Sequence, residues 1–233
     1  MDARLSVVEH LNELRKRIIK VLIASGITTL ISLPFSAPIL RILKLPAGGY
    51  IKTLAFFKPQ DAFLVHMKAA FLCGFILALP FVLYEIWGFI SPAVEARTKK
   101  YSLYFIIFSS LVFILGGLFS YFILLPRAIK FLLSFSGDIL QPVISANEYI
   151  FFVISIILGC GLVFQMPVIS FILTKAGIIN AEILRKKAKW AILFIFIIAA
   201  IITPTTDAFN LLIFALPMLL LYAVSIWVSL LAK

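Results

Sequence analysis

The sequence predicts an all-α, polytopic membrane protein with six transmembrane helices, both termini cytoplasmic and the last two helices short. Of its 233 residues, 63% are hydrophobic and only 13% charged, far more apolar than a soluble domain keeps in solution. Runs without charge alternate with short polar connections, and most runs reach the about 20 residues that cross a hydrocarbon core of about 30 Å. The basic residues are shared unequally between alternate connections, the mark of positive-inside topology. They form no continuous stripe, so the net charge of +11 speaks for topology rather than nucleic acid. Residues 1–233 read as one membrane domain, with 1–17 a cytoplasmic amphipathic segment.

That first segment is Glu9-His10-Leu11-Asn12-Glu13-Leu14-Arg15-Lys16-Arg17. At helical spacing Val7, Leu11, Leu14 and Ile18 form an apolar stripe, while Glu13 and Arg17, four apart, share another face. Ser6-x-x-Glu9 is a capping-box pattern at its start. The expectation is a helix lying at the membrane surface and feeding the first span. On these features alone it reads as an orientation anchor.

The first span runs from about Ile18 to Ser36 and ends without a convincing small-x-small cleavage site, so it is expected to stay as an anchor. A mostly polar loop is expected next, broken by Pro38, Pro46, Gly48, Gly49 and Pro59. The second span covers about 62–89, with Pro80 inside and Lys68 close enough to one end to snorkel. The third, from Tyr101 to Pro126, and the fourth, from Tyr149 to Thr174, carry no charge. The fifth is short, because the stretch between Lys189 and Pro204 rises only about 21 Å as a helix. The sixth, from about Ala208 to Ala232, carries Pro217 and follows at once. A shallow hairpin of this kind thins the bilayer beside it.

With the N-terminus cytoplasmic, that side holds Arg4, Arg15, Lys16, Arg17, Lys20, Arg97, Lys99, Lys100, Lys175, Arg185, Lys186, Lys187, Lys189 and Lys233. The opposite side holds half as many: Arg41, Lys44, Lys52, Lys58, Lys68, Arg127 and Lys130. The N-terminal segment then lies beside the loop from Ser91 to Lys100.

Few strongly polar residues fall inside the spans: His66, Lys68, Glu85, Gln165 and Asn210, with Asp207 at a helix start. Each is a functional candidate because polar groups are costly in hydrocarbon. His66 and Lys68 are explained by interfacial solvation, and Asp207 suits a helix N-terminus. Gln165 precedes Met166-Pro167, so it either satisfies backbone freed by proline or binds a partner. Cys73 and Cys160 read as packing residues, without disulfide or zinc spacing. Gly116-x-x-x-Ser120 and Gly159 with Gly161 suit close helix approach. There is no P-loop, Gly-x-Ser-x-Gly, His-Glu-x-x-His or carboxylate pair at one depth, so catalysis has no residues to carry it. No cofactor or metal is implied.

Several stretches, in order, resemble one family. His10 to Arg17 resembles the N-terminal signature of TatC, the multispanning receptor of the twin-arginine translocation system. Pro80-Phe81-Val82-Leu83-Tyr84-Glu85-Ile86-Trp87-Gly88-Phe89-Ile90-Ser91-Pro92-Ala93 is similar to the end of its second span and first cytoplasmic loop. Phe164-Gln165-Met166-Pro167, Leu184-Arg185-Lys186-Lys187, Thr203-Pro204 with Asp207, and Ala215-Leu216-Pro217 match its later landmarks. The resemblance covers essentially the whole chain.

It implies a prokaryotic inner-membrane protein that binds the twin-arginine signal peptide of folded cargo at its cytoplasmic face and recruits small single-span TatA or TatB partners. Export is then driven by the protonmotive force, without a cofactor, and the receptor self-associates. The implied signal-peptide residues are Glu13, Leu14, Arg15, Arg17, Phe89, Glu95 and Thr98; the partner-binding or intramembrane positions are Gln165, Asp207 and Pro46. Glu13 is the best-matched acceptor for a guanidinium fork. Arg15 and Arg17 are expected to orient the acids and the loop.

Three positions depart from the family pattern. Thr98 stands where a second recognition glutamate is usual, and Glu95, one helical turn earlier, is expected to replace it. Gln165 replaces a common glutamate, which argues against a proton relay there. Ala223 stands where an acid is frequent. The alternatives are a small-solute or ion transporter lined by Gln165, Asn210 and Glu85, and a scaffold without a ligand.

Overall fold

The computed structural model describes residues 7–51, 53–90, 102–134, 143–175, 177–202 and 208–231. Glu95, Thr98 and Asp207 lie outside them. The described residues form helices, with one isolated parallel bridge between Ala55 and Ser145. Among the described residues, five segments are long and apolar enough to cross a membrane: Glu9–Tyr50, Asp61–Phe89, Leu103–Ser134, Ala146–Lys175 and Phe214–Leu231. A shorter apolar helix lies at Ala188–Ala200. The described residues thus hold five spans of crossing length and one shorter apolar helix.

The N-terminal segment is not a separate surface helix. α1 runs unbroken over Val7–Ser32, because nothing between Arg17 and Ile18 interrupts helix formation. Two residues of its apolar stripe turn away from the protein, Leu11 at 59% and Ile18 at 49% exposed, while Leu14 is half-buried. The polar face carrying Glu13 and Arg17 meets the next long helix instead. Lipid is as apolar as leucine, so apolar residues gain little by choosing protein over lipid, whereas charges gain from finding partners.

The expected polar loop is largely helical. A 3₁₀ turn at Leu33–Phe35 leads into α2 (Ser36–Lys44), and a second 3₁₀ segment covers Leu45–Tyr50. Pro38 sits in the first turn of α2, where its missing N–H costs nothing. Leu43 is buried while Arg41 and Ile42 remain exposed. The tyrosine hydroxyls of Tyr121 and Tyr149 donate to the main-chain oxygens of Ile42 and Leu43 at 2.7 and 3.0 Å. These two bonds pin the end of α2 to the bundle.

α3 (Asp61–Ile90) includes Pro80. It starts at Asp61, whose buried carboxylate accepts from the main-chain N–H of Phe57 and Lys58 at 3.2 and 3.1 Å. α1 crosses α3 at Gly74, where a Cβ would fall 2.5 Å from the main-chain nitrogen of Thr29. The third crossing divides into α4 (Ser102–Phe119), a π turn at Ser120–Leu124 and α5 (Leu125–Ser134). Pro126 cannot donate to Phe122 and crowds its carbonyl, and the wider turn accommodates this.

The fourth crossing is α6 (Ala146–Phe164), a turn at Gln165, and α7 (Met166–Lys175). α6 is well buried, with Ile150, Val153 and Ile156 essentially sealed. It meets α4 through paired glycines: a Cβ at Gly116 would meet the Phe164 side chain at 2.8 Å, and one at Gly161 the Phe113 ring at 2.6 Å. Both expected close approaches on α4 and α6 therefore occur at these positions.

α8 (Ala181–Lys186) is capped by Asn180, whose side chain accepts from Ile183 N–H at 2.8 Å. α9 (Ala188–Ile202) has 15 residues, about 22 Å. The shortness of the last pair resides here, since α10 (Ala208–Leu231) has 24 residues, about 36 Å. α10 packs on α7, with Thr174 Oγ1 and Ser229 Oγ sharing a hydrogen bond of 2.8 Å. Tyr222 holds it to α8 by donating to Leu184 O at 2.6 Å.

Candidate functional site

The antiparallel course of α1 and α3 brings the start of one beside the end of the other. Here Arg17 donates from Nε and Nη2 to Glu13 Oε1, at 3.0 and 2.6 Å. Its remaining nitrogen, Nη1, donates to Glu85 Oε2 at 2.8 Å and, at 3.4 Å, to the main-chain oxygen of Glu85. Lys20 Nζ stands 3.5 Å from Glu85 Oε1. Glu13 and Arg17 meet because they are four apart on one helix face; Glu85 joins them only through the packing of α1 on α3.

The two acids are differently placed. The Glu85 side chain is 4% exposed and that of Glu13 27%. A carboxylate as deep as Glu85 needs a charged or hydrogen-bonded partner, and Arg17 supplies it. Gly88, one turn beyond Glu85, gives the guanidinium its space: a Cβ there would collide with Arg17 Nη1. His10 stacks on Phe89 with ring centroids 4.3 Å apart and planes inclined by 20°. The result is a half-open carboxylate, a guanidinium held behind it and a flat aromatic pair alongside. A partly exposed carboxylate of this kind has the chemistry to pair with a planar cation.

Of the expected residues, Glu13, Leu14, Arg15, Arg17 and Phe89 gather at this end of the molecule. Leu14 is half-buried and Arg15 exposed. Gln165 lies elsewhere, buried at the turn between α6 and α7, where its Nε2 donates to Ser109 O on α4 at 3.0 Å. Its amide therefore serves another helix of the same chain. Pro46 is buried in the 3₁₀ segment after α2, which follows from the far end of α1. Glu85, a candidate lining residue in the transporter alternative, is Arg17's second acceptor. Its signal is an acid just inside the end of a span, opposite a basic helix start. The space at Gly88 left no such signal.

A family model described as Sec-independent protein translocase protein (TatC) matches residues 9–217. The chain belongs to the TatC family. It is 40% identical to the TatC protein of Koribacter versatilis, over 97% of this chain and 85% of that protein. It is 38% identical to that of Aquifex aeolicus, over 97% and 95%. A crystal structure described as the twin arginine translocase receptor TatC superposes with a TM-score of 0.85 at 38% identity, covering 96% of this chain and 99% of that one. The chain is thus a multi-pass membrane component of the Sec-independent protein translocase, and not an enzyme.

Proposed function

We propose that this family member is the signal-peptide receptor of its translocase. It binds the twin-arginine signal peptide of folded cargo at the cytoplasmic face, then recruits small TatA-type or TatB-type subunits for export driven by the protonmotive force. In this reading it sits in the prokaryotic inner membrane as one six-helix domain with both termini inside, and self-associates in the receptor complex.

The observation that carries the reading is the half-open Glu13 carboxylate backed by Arg17. Two adjacent guanidiniums in a ligand call for carboxylate or carbonyl acceptors at fixed spacing, and Glu13 is one such acceptor reachable from outside. Arg17 orients it. Leu14, Arg15 and Phe89 line the approach, and Glu95 takes the place of the acid missing at Thr98. Asp207 and Pro46 contribute to partner binding. Gln165, with its amide spent on α4, contributes by shaping the kink between α6 and α7.

Crosslinking tests this directly. A photoreactive group placed beside Glu13 or Glu95, with both carboxylates kept, should capture a signal peptide with two arginines and not its twin-lysine version. Equal capture of both peptides excludes the receptor reading and leaves the scaffold or transporter. Loss of capture in Glu13→Ala with none in Glu95→Ala excludes the substitution of Glu95 for the missing acid.

A further inference from the structure

We propose that Glu85 is a positioning residue for the peptide site. By taking Nη1 of Arg17 it keeps that guanidinium from closing over both oxygens of Glu13, and so leaves Glu13 able to accept a guanidinium from a ligand. The inference rests on the receptor reading above.

Glu and Arg four apart on a helix readily form a two-pronged pair, in which two guanidinium nitrogens meet two carboxylate oxygens. The Glu13–Arg17 pair does not take that form. Both of Arg17's contacts to Glu13 fall on Oε1, and the third nitrogen is drawn to Glu85. Among the described residues no donor meets Oε2 of Glu13, which is open to a ligand. The depth of the two acids assigns the roles, since a ligand reaches the partly exposed Glu13 and not Glu85. Gly88 makes the arrangement possible, because any side chain there would expel Nη1 from its place. Lys20 adds a charge to Glu85 Oε1 at 3.5 Å, but its side chain is 61% exposed and solvent screens it.

Removing the Glu85 charge frees Nη1, and Arg17 then competes with the ligand for Glu13. The test uses the full-length protein in nanodiscs and a synthetic peptide carrying two consecutive arginines before an apolar stretch, with its twin-lysine counterpart. Glu85→Gln is expected to weaken arginine-peptide binding roughly tenfold, while Glu85→Asp, which keeps the charge, restores most of it. In an Arg17→Gln background, adding Glu85→Gln should change nothing, because the competitor is gone. If the wild type prefers the arginine peptide and Glu85→Gln binds it equally well, the inference is overturned. It is also overturned if the two substitutions weaken binding additively. Should Glu85→Gln alone fail to fold, the Arg17→Gln pair with and without it carries the comparison, and a further loss of affinity decides against the role. A wild type that does not distinguish the peptides removes the receptor reading itself.

Discussion

The side-chain amide of Gln165 donates to the main-chain oxygen of Ser109 at 3.0 Å, tying the break between α6 and α7 to the middle of α4. The neighbouring hydroxyl, Ser109 Oγ, is buried and has no hydrogen-bond partner among the described residues. The two polar groups should therefore respond oppositely to removal. Gln165→Leu is expected to cost about 1 kcal/mol, the usual scale for one interhelical hydrogen bond in a bilayer. Ser109→Ala should be neutral or slightly stabilising, since it removes an unpaired buried group. Thermal unfolding in detergent checks both. Equal losses would mean that Ser109 Oγ has a partner.

Gly74 and Gly26 form a matched pair of helix glycines in different surroundings. A Cβ at Gly74 would strike the backbone of Thr29, which cannot swing aside, whereas nothing lies within 4 Å of one at Gly26. Gly74→Ala should cost about 1–3 kcal/mol through overpacking. Gly26→Ala should gain up to about 1 kcal/mol from helix propensity. Unfolding midpoints of the two variants, measured in one detergent, decide between close packing and incidental contact.

The Gly161 contact offers a rescue. Its Cβ would press on the far edge of the Phe113 ring, a side chain that can be shortened. Gly161→Ala should destabilise, and Phe113→Leu added to it should recover part of the loss even though Phe113→Leu alone is unfavourable. Contacting residues depart from additivity by about 0.5–3 kcal/mol. A double-mutant cycle that closes additively would place the α4–α6 contact elsewhere.

Lys68 Nζ donates to Asn147 Oδ1 at 2.5 Å and lies 5.1 Å from the centre of the Phe151 ring. Asn147→Ala leaves a half-buried ammonium without that acceptor, at a cost of about 1.5–3 kcal/mol for a hydrogen bond to a charged group. Lys68→Met removes the charge together with its desolvation penalty and should cost less. The reverse order of unfolding temperatures would mean that Lys68 reaches water at the interface.

What the sequence determined by itself was the number of apolar crossings, their approximate ends, the shortness of the fifth and the family. These follow from the length of each uncharged run and from ordered local motifs, which need no knowledge of neighbours. The tertiary structure decided which face of each helix meets protein. In water Leu11 and Ile18 would have marked the buried side; here both are exposed, because lipid is as apolar as protein. The charges are the better guide there, yet their partners are distant in sequence. Glu13 and Arg17 are legible as neighbours at helical spacing, while Glu85 becomes Arg17's acceptor only when α3 returns antiparallel to α1. Gln165 was legible as a costly polar group beside a proline. That it spends its amide on α4 depended on the glycine contacts that let α4 and α6 approach so closely.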